Sequence, residues 1–167
     1  SNVCTLHEHH VSADGQLFGM IMELLEKGNL AQRIEAGSMR EFEAVQMAFD
    51  VLLALECIHD MAVIHRDIKP SNIMLTEVDG RLIYKLIDFS ISVIERMSRD
   101  EVSQTLCTGT TTLRAGAGTP HFMSPEQIKE GVDISLQTDL WSLGAVIFRA
   151  ISGVLPFAPN ETDKLKI

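Results

Sequence analysis

Between the apolar residues of "VIHRDIKPSNIML", residues 63–75, the chain sets His65, Arg66, Asp67, Lys69, Ser71 and Asn72. A carboxylate can orient a hydroxyl and take its proton, a lysine two residues on supplies a point charge, and a carboxamide offers an oxygen to a cation. The segments that follow bring these groups together. "IMLT" and "RLIYKLI" read as two short strands joined at Asp79-Gly80, a dipeptide suited to a two-residue hairpin turn. Asn72 stands just before the first strand and Asp88 just after the second, so an antiparallel hairpin puts them side by side. Two oxygen-bearing side chains on adjacent strand ends suit a magnesium ion whose other ligands are water and phosphate oxygens. Asp67 and Lys69 enter at the same end. An acid beside a hydroxyl, a cation and a metal site are what phosphoryl transfer needs, because that chemistry is mostly positioning and charge neutralisation. The competing reading of this segment alone is a surface ion pair of Asp67 and Lys69 next to an asparagine turn.

The flanking elements must carry this loop. Residues 16–24, "QLFGMIMEL", read as a buried strand entered through the Asp14-Gly15 turn, with residues 3–11 as its partner. A short helix is expected from about Asn29 to Ala36, closed by Gly37. Ser38 and Glu41 are spaced as a capping box, which predicts a helix start there. That helix should run to about Asp60. Its apolar positions Val45, Ala48, Phe49, Val51, Leu52, Leu55 and Ile58 cover most of its surface, so it is expected to be well buried. Residues 90–124 are rich in hydroxyls and have no sustained period, which predicts a long mobile loop. A second, almost wholly apolar helix is expected over about 136–152, ending at Gly153.

Composition narrows the classes. The 167 residues are 46% hydrophobic and 22% charged, with a net charge of −9. That suits one globular unit and argues against a general nucleic-acid or anionic-membrane surface, while leaving room for a local phosphate site. Cys4, Cys57 and Cys107 are odd in number and widely spaced, which argues against a disulfide framework or a cysteine zinc site and for a reducing compartment. The expected location is cytoplasmic, with the nucleus also open. No apolar run approaches a membrane span. "LHEHH" at 6–10 reads as a solvated strand edge rather than a metal site, because alternation puts only His7 and His9 on one face.

"HRDIKPSN", then "DFS", "GTPHFMSPE" and "DLWSLG", in this order and spacing, resemble the eukaryotic protein kinase family along nearly the whole chain. Lys69, two residues after Asp67, resembles the serine/threonine branch. The resemblance implies an α+β fold of mostly the helical large lobe with a remnant of the small β lobe. Residues 1–23 would be the last strands of the small lobe and 24–167 the hinge and large lobe. It implies transfer of the ATP γ-phosphate to protein serine or threonine hydroxyls, with ATP and magnesium as cofactors and a protein substrate as partner, and neither nucleic acid nor membrane. Asp67 would orient and deprotonate the hydroxyl, Lys69 would neutralise the transferring phosphate, and Asn72 and Asp88 would hold magnesium. Met22 would stand at the back of the adenine pocket. The Glu23 carbonyl and the Leu25 backbone would bond adenine, with Met74 beneath it and Asn29 near the ribose. Thr119 would touch Asp67 and Lys69, and His65 would stack on Phe89. Asp139, an acid on an apolar helix, would accept backbone N–H groups around His65 and Arg66.

The pattern also has departures. The glycine-rich loop, strand lysine and helix glutamate of the family have no match, and Glu126 lacks its usual arginine. The expectation is a catalytic domain truncated at both ends and, as a fragment, inactive. Ser90 stands where the family has the glycine of "DFG", which would stiffen the Asp88 hinge. Arginine-directed members carry acids at the positions of Asn29 and Ser71, and neither is acidic here. Arg66 beside Asp67 suggests activation by a phosphate within Thr108–Thr112, at Thr111 or Thr112. The alternative reading is a pseudokinase or kinase-like interaction module without catalysis.

Overall fold

The computed structural model describes residues 1–12, 14, 16–89, 120–129 and 133–157, and the backbone of 93–94. Ser90, Thr119 and the threonines of 108–112 lie outside the described residues, as does most of the expected loop. Its strands are β1 (Leu6–Val11), β2 (Phe18–Met22), β3 (Val63–Ile64), β4 (Ile73–Val78), β5 (Arg81–Leu86) and β6 (Val93–Ile94). Its helices are α1 (Leu30–Glu35), α2 (Glu41–His59), α3 (Pro125–Ile128) and α4 (Gln137–Ser152). The strands pair antiparallel as β1–β2, β3–β6 and β4–β5. No helix among the described residues is long and apolar enough to cross a membrane.

The hairpin expectation holds in register. Ile73 faces Leu86 and Val78 faces Arg81, and Asp79 and Gly80 both take positive φ, 51° and 76°. Such a turn needs positive φ at both central residues, which aspartate and glycine tolerate. α1 also forms where expected, capped by Asn29, whose Oδ1 accepts from Gln32 N while Gln32 Oε1 accepts from Asn29 N. α4 ends at Gly153 with φ 74°, and a Cβ there would meet Ser38 Oγ at 3.1 Å.

The core lies where α2 meets the β4–β5 hairpin on one side and α4 on the other. Met47, Val51, Leu55 and Ile58 of α2 pack with Ile73, Tyr84 and Leu86 of the hairpin and Leu143 and Val146 of α4. Each such side chain contributes about 1.5–3 kcal/mol on burial. Tyr84 shows how polar groups survive there. Its amide donates to Asp50 Oδ2 at 3.1 Å and its hydroxyl to Glu43 Oε1 at 3.3 Å, and burial pushes its phenol pKa up.

Three expectations are corrected. The strand in 16–24 is shorter, and every residue of β2 is exposed, because β1–β2 is a two-stranded ribbon with no layer packed on it among the described residues. Ser38 caps nothing. Met39 is buried and its amide donates to Ala150 O at 2.9 Å, so the chain stays extended and α2 starts from Arg40 without a side-chain cap. Finally, α2 buries only one face, since Val45, Phe49 and Leu52 are 66%, 56% and 44% exposed.

Candidate active site

The loop between β3 and β4 holds the reactive groups, and its backbone explains how. Arg66 has φ 70°, a left-handed conformation that costs a non-glycine residue on the order of 1 kcal/mol. The fully buried Asp139 of α4 holds it there. Its Oδ2 accepts from His65 N and its Oδ1 from Arg66 N, both at 2.9 Å. This is the role expected of Asp139. His59, at the end of α2, adds a bond that sequence reasoning missed, donating from Nε2 to Asp139 Oδ2 at 2.8 Å. A lone histidine at a helix end gave no signal of a partner 80 residues away.

His65 is fully buried. Its Nε2 meets Ile87 O at 3.0 Å, and its Nδ1 accepts from Asp67 N at 3.2 Å. A carbonyl only accepts, so Nε2 carries the proton and Nδ1 is bare, a neutral imidazole. Burial lowers its pKa, against the opposing pull of the Ile87 carbonyl and of Asp139, Asp67 and Asp88. The expected contact with Phe89 is present as a tilted pair, 4.9 Å between centroids and 59° between planes.

Asp67, Lys69 and Asn72 meet. Lys69 Nζ donates to Asp67 Oδ2 at 2.6 Å, and Asn72 Nδ2 donates to the same oxygen at 3.0 Å and to Asp67 O at 2.9 Å. The Asp67 and Lys69 side chains are only 16% and 24% exposed, so this is more than a surface ion pair. The carboxylate has one oxygen held by two donors, with Asn72 itself buried in the 3-10 turn Pro70–Asn72. Ile87 N donates to Asn72 O at 3.0 Å, which sets Asp88, with φ 66°, next to Asn72 across the hairpin mouth. Because Asn72 spends its amide N–H groups on Asp67, its Oδ1 remains an acceptor. An amide oxygen and a carboxylate are hard oxygen donors, a set that fits magnesium.

Gln127 of α3 was missed as well. Its Nε2 donates to Arg66 O at 2.7 Å, while its Oε1 accepts from Ser124 N at 3.1 Å. Ser124 and Gln127 form a capping box at the start of α3, and such a local pattern does not announce a reach to the loop. Glu126 takes a different partner from the family's arginine, accepting from Thr138 Oγ1 at 2.8 Å. Burial lowers the pKa of Arg66, and its Nε is buried without a hydrogen-bond partner among the described residues.

The adenine-side candidates fall on a connected strip. Glu23 turns its carboxylate away, accepting from Lys85 Nζ at 2.7 and 2.8 Å and from Thr5 N at 2.7 Å. Among the described residues neither Glu23 O nor Leu25 N has a hydrogen-bond partner. Asn29 bridges to Met74, and Leu75 N donates to Gly28 O at 2.9 Å, so residues 28–29 lie along β4. Asn29 commits its Oδ1 to capping α1, leaving only its Nδ2 for a ligand. Met22 ends β2 and is 48% exposed.

The chain as a whole matches the protein kinase domain model over residues 1–167. It is 34% identical over 164 residues to the serine/threonine-protein kinase PEPKR2 of Arabidopsis thaliana, covering 98% of this chain and 31% of that protein. To the ovarian-specific serine/threonine-protein kinase Lok of Drosophila melanogaster it is 30% identical, covering 95% of this chain and 31% of that one. The chain thus spans about a third of the length of these relatives. The crystal structure of the Rad53 kinase domain and SCD2 superposes with a TM-score of 0.71 at 24% identity, over 98% of this chain and 52% of that one. That likeness shows the fold, an α+β kinase fold with mostly the helical lobe present. The chain belongs to the protein kinase domain family.

Proposed function

We propose that the protein carrying this chain is a serine/threonine kinase that transfers the γ-phosphate of ATP to a protein hydroxyl. The observation that carries this reading is the Asp67 carboxylate, with one oxygen fixed by Lys69 and Asn72 and no hydrogen bond to the other among the described residues. Asp67 orients the serine or threonine hydroxyl and takes its proton as the oxygen attacks phosphorus. Lys69 stands within reach of the same oxygen and neutralises charge that gathers on the transferring group. Asn72 and Asp88 hold magnesium, which when bound offsets phosphate charge. Glu23 O and the Leu25 backbone take the adenine edge, with Met22 behind it, Met74 beneath it and Asn29 beside the ribose. Residues 1–23 then belong to the small lobe and 24–167 to the hinge and large lobe. The relatives named serine/threonine kinases support the choice of hydroxyl. The free thiols Cys4 and Cys57 suit the cytoplasm or nucleus.

The presence of Asp67, Lys69 and Asn72 bonded to one another, with Asp88 across the hairpin mouth, favours catalysis over a scaffold, which has no physical need for a carboxylate held this way. The test is to incubate the full-length protein with Mg-ATP and peptide pools bearing only serine, only threonine or only tyrosine. Phosphate on serine or threonine peptides, lost on chelation of magnesium, is the expected result. Transfer to tyrosine alone, or to none of the pools, contradicts the reading.

A further inference from the structure

A cleft of about 210 Å³ opens beside the catalytic loop, between α1, the turn Pro70–Asn72 and the end of α4. Lys69, Ser71, Phe122 and Leu155 line it, with Glu35 and Arg149 as its other charged residues. Lys69 is engaged by Asp67 at 2.6 Å, so the cleft begins one side chain away from the carboxylate that meets the phosphoacceptor. An extended peptide advances about 3.3 Å per residue, so the cleft is reached roughly two to four residues from the acceptor.

Arg149 is the distinctive group. Among the described residues it is in none of the ion pairs, and its one hydrogen bond there runs from Nη1 to Gly153 O. A guanidinium has five N–H donors, so that bond orients the fork and leaves most of it for a ligand. The floor beside it is apolar, from Phe122 and Leu155, and shields a charged contact from water. The positions of Asn29 and Ser71, where acids would select basic substrates, carry none.

We propose that this cleft binds an anionic side chain of the protein substrate near the phosphorylated residue, with Arg149 as the residue that selects it. The inference rests on the kinase reading above and names its substrate class. Glutamate, aspartate and phosphoserine share the needed chemistry, a planar or tetrahedral set of oxygens facing a guanidinium. Glu35, exposed on the α1 side, is the one carboxylate lining the cleft among the described residues.

The experiment measures kcat/KM of the full-length protein on one serine peptide in which the flanking positions, up to four residues on each side, carry in turn alanine, glutamate, phosphoserine or lysine. At one or two positions glutamate or phosphoserine should exceed alanine by on the order of tenfold, and lysine should fall below it. Arg149→Glu should reverse the order at those positions only, and Arg149→Gln should flatten it, which keeps the test valid if the reversed charge harms folding. Preference for phosphoserine alone makes the ligand a phosphate, and equal preference makes it any carboxylate or phosphate; both support the cleft. Phosphorylation with no charge preference, or one that survives both Arg149 substitutions, overturns the inference alone. Transfer to no peptide overturns the kinase reading and the inference with it.

Discussion

The catalytic loop and the β1–β2 ribbon are both short and both carry candidate ligand-binding residues, yet they are held in opposite ways. In the loop, Asp139, Ile87 and Gln127 reach in from distant parts of the chain to bond its backbone and its buried histidine, and His59 in turn holds the Asp139 carboxylate. In the ribbon, Leu6, Val11, Phe18, Met20, Ile21 and Met22 are all at least 48% exposed, and the pairing is of two strands only. Two-stranded hairpins are marginal in water on their own. The difference teaches that the proposed hydroxyl-activating groups are fixed by packed parts of the chain, whereas Met22, on the proposed adenine side, sits on a strand whose apolar residues have no packing partner among the described residues.

Breaking the strongest support should show this most clearly. Asp139→Ala leaves the buried amides of His65 and Arg66 without an acceptor, and only the Gln127 bond to its carbonyl remains to hold the strained φ of Arg66. A loss of about 3–5 kcal/mol in urea unfolding is expected, with activity lost as well. Asp139→Asn keeps one acceptor oxygen and should cost less. A variant lacking this carboxylate with unaltered stability would mean that the loop is held some other way.

Gln127→Leu sharpens the comparison at a single bond. It strips Arg66 O of its donor and Ser124 N of its acceptor, for about 1–2 kcal/mol. Because Arg66 adjoins Asp67, kcat should fall several-fold while the KM for ATP stays put. A change in ATP KM with kcat preserved would assign Gln127 to the wrong side of the site.

His65 ties the same region to pH. Its folded pKa lies below the value near 6.5 of an unfolded histidine, chiefly because it is buried. The unfolded chain therefore binds the proton more readily. The stability this group contributes is full above about pH 6.5 and is lost as pH falls through that value towards the lower folded pKa. Urea midpoints measured between pH 7.5 and 5 should drop with acid, and the drop should shrink in His65→Gln. An equal slope in both proteins contradicts the assignment. In the ribbon, Phe18→Ser should alter stability by less than about 0.5 kcal/mol, since Phe18 is 63% exposed. A larger loss would show that the ribbon is packed.

Legibility in the sequence follows the same divide. The hairpin, α1 and the end of α4 were readable because local chemistry fixes them: Asp79-Gly80 for the turn, Gly37 for the close of α1, Gly153 for the stop. Ser38 misled because a capping box is a local pattern, and the tertiary bond from Met39 to Ala150 overrode it. The exposed face of α2 misled for a related reason. Apolar spacing states what a helix can bury, and only the packing partners decide what it does bury. Asp67, Lys69 and Asn72 were expected to converge and do. His59 and Gln127 were not, since nothing local to a histidine at a helix end or a glutamine in a cap announces a contact some 60 to 80 residues away.

The most direct test of the account is a single-turnover measurement on the full-length protein and its Asp67→Asn variant, mixed with saturating Mg-ATP and a serine peptide. Asparagine preserves the shape and an acceptor for Lys69 but cannot take the hydroxyl proton. The account predicts a rate of phosphopeptide formation lower by about 10²–10⁴-fold, with nucleotide affinity nearly unchanged. A variant that transfers phosphate within a fewfold of the parent rate would contradict the assignment of Asp67 as the base.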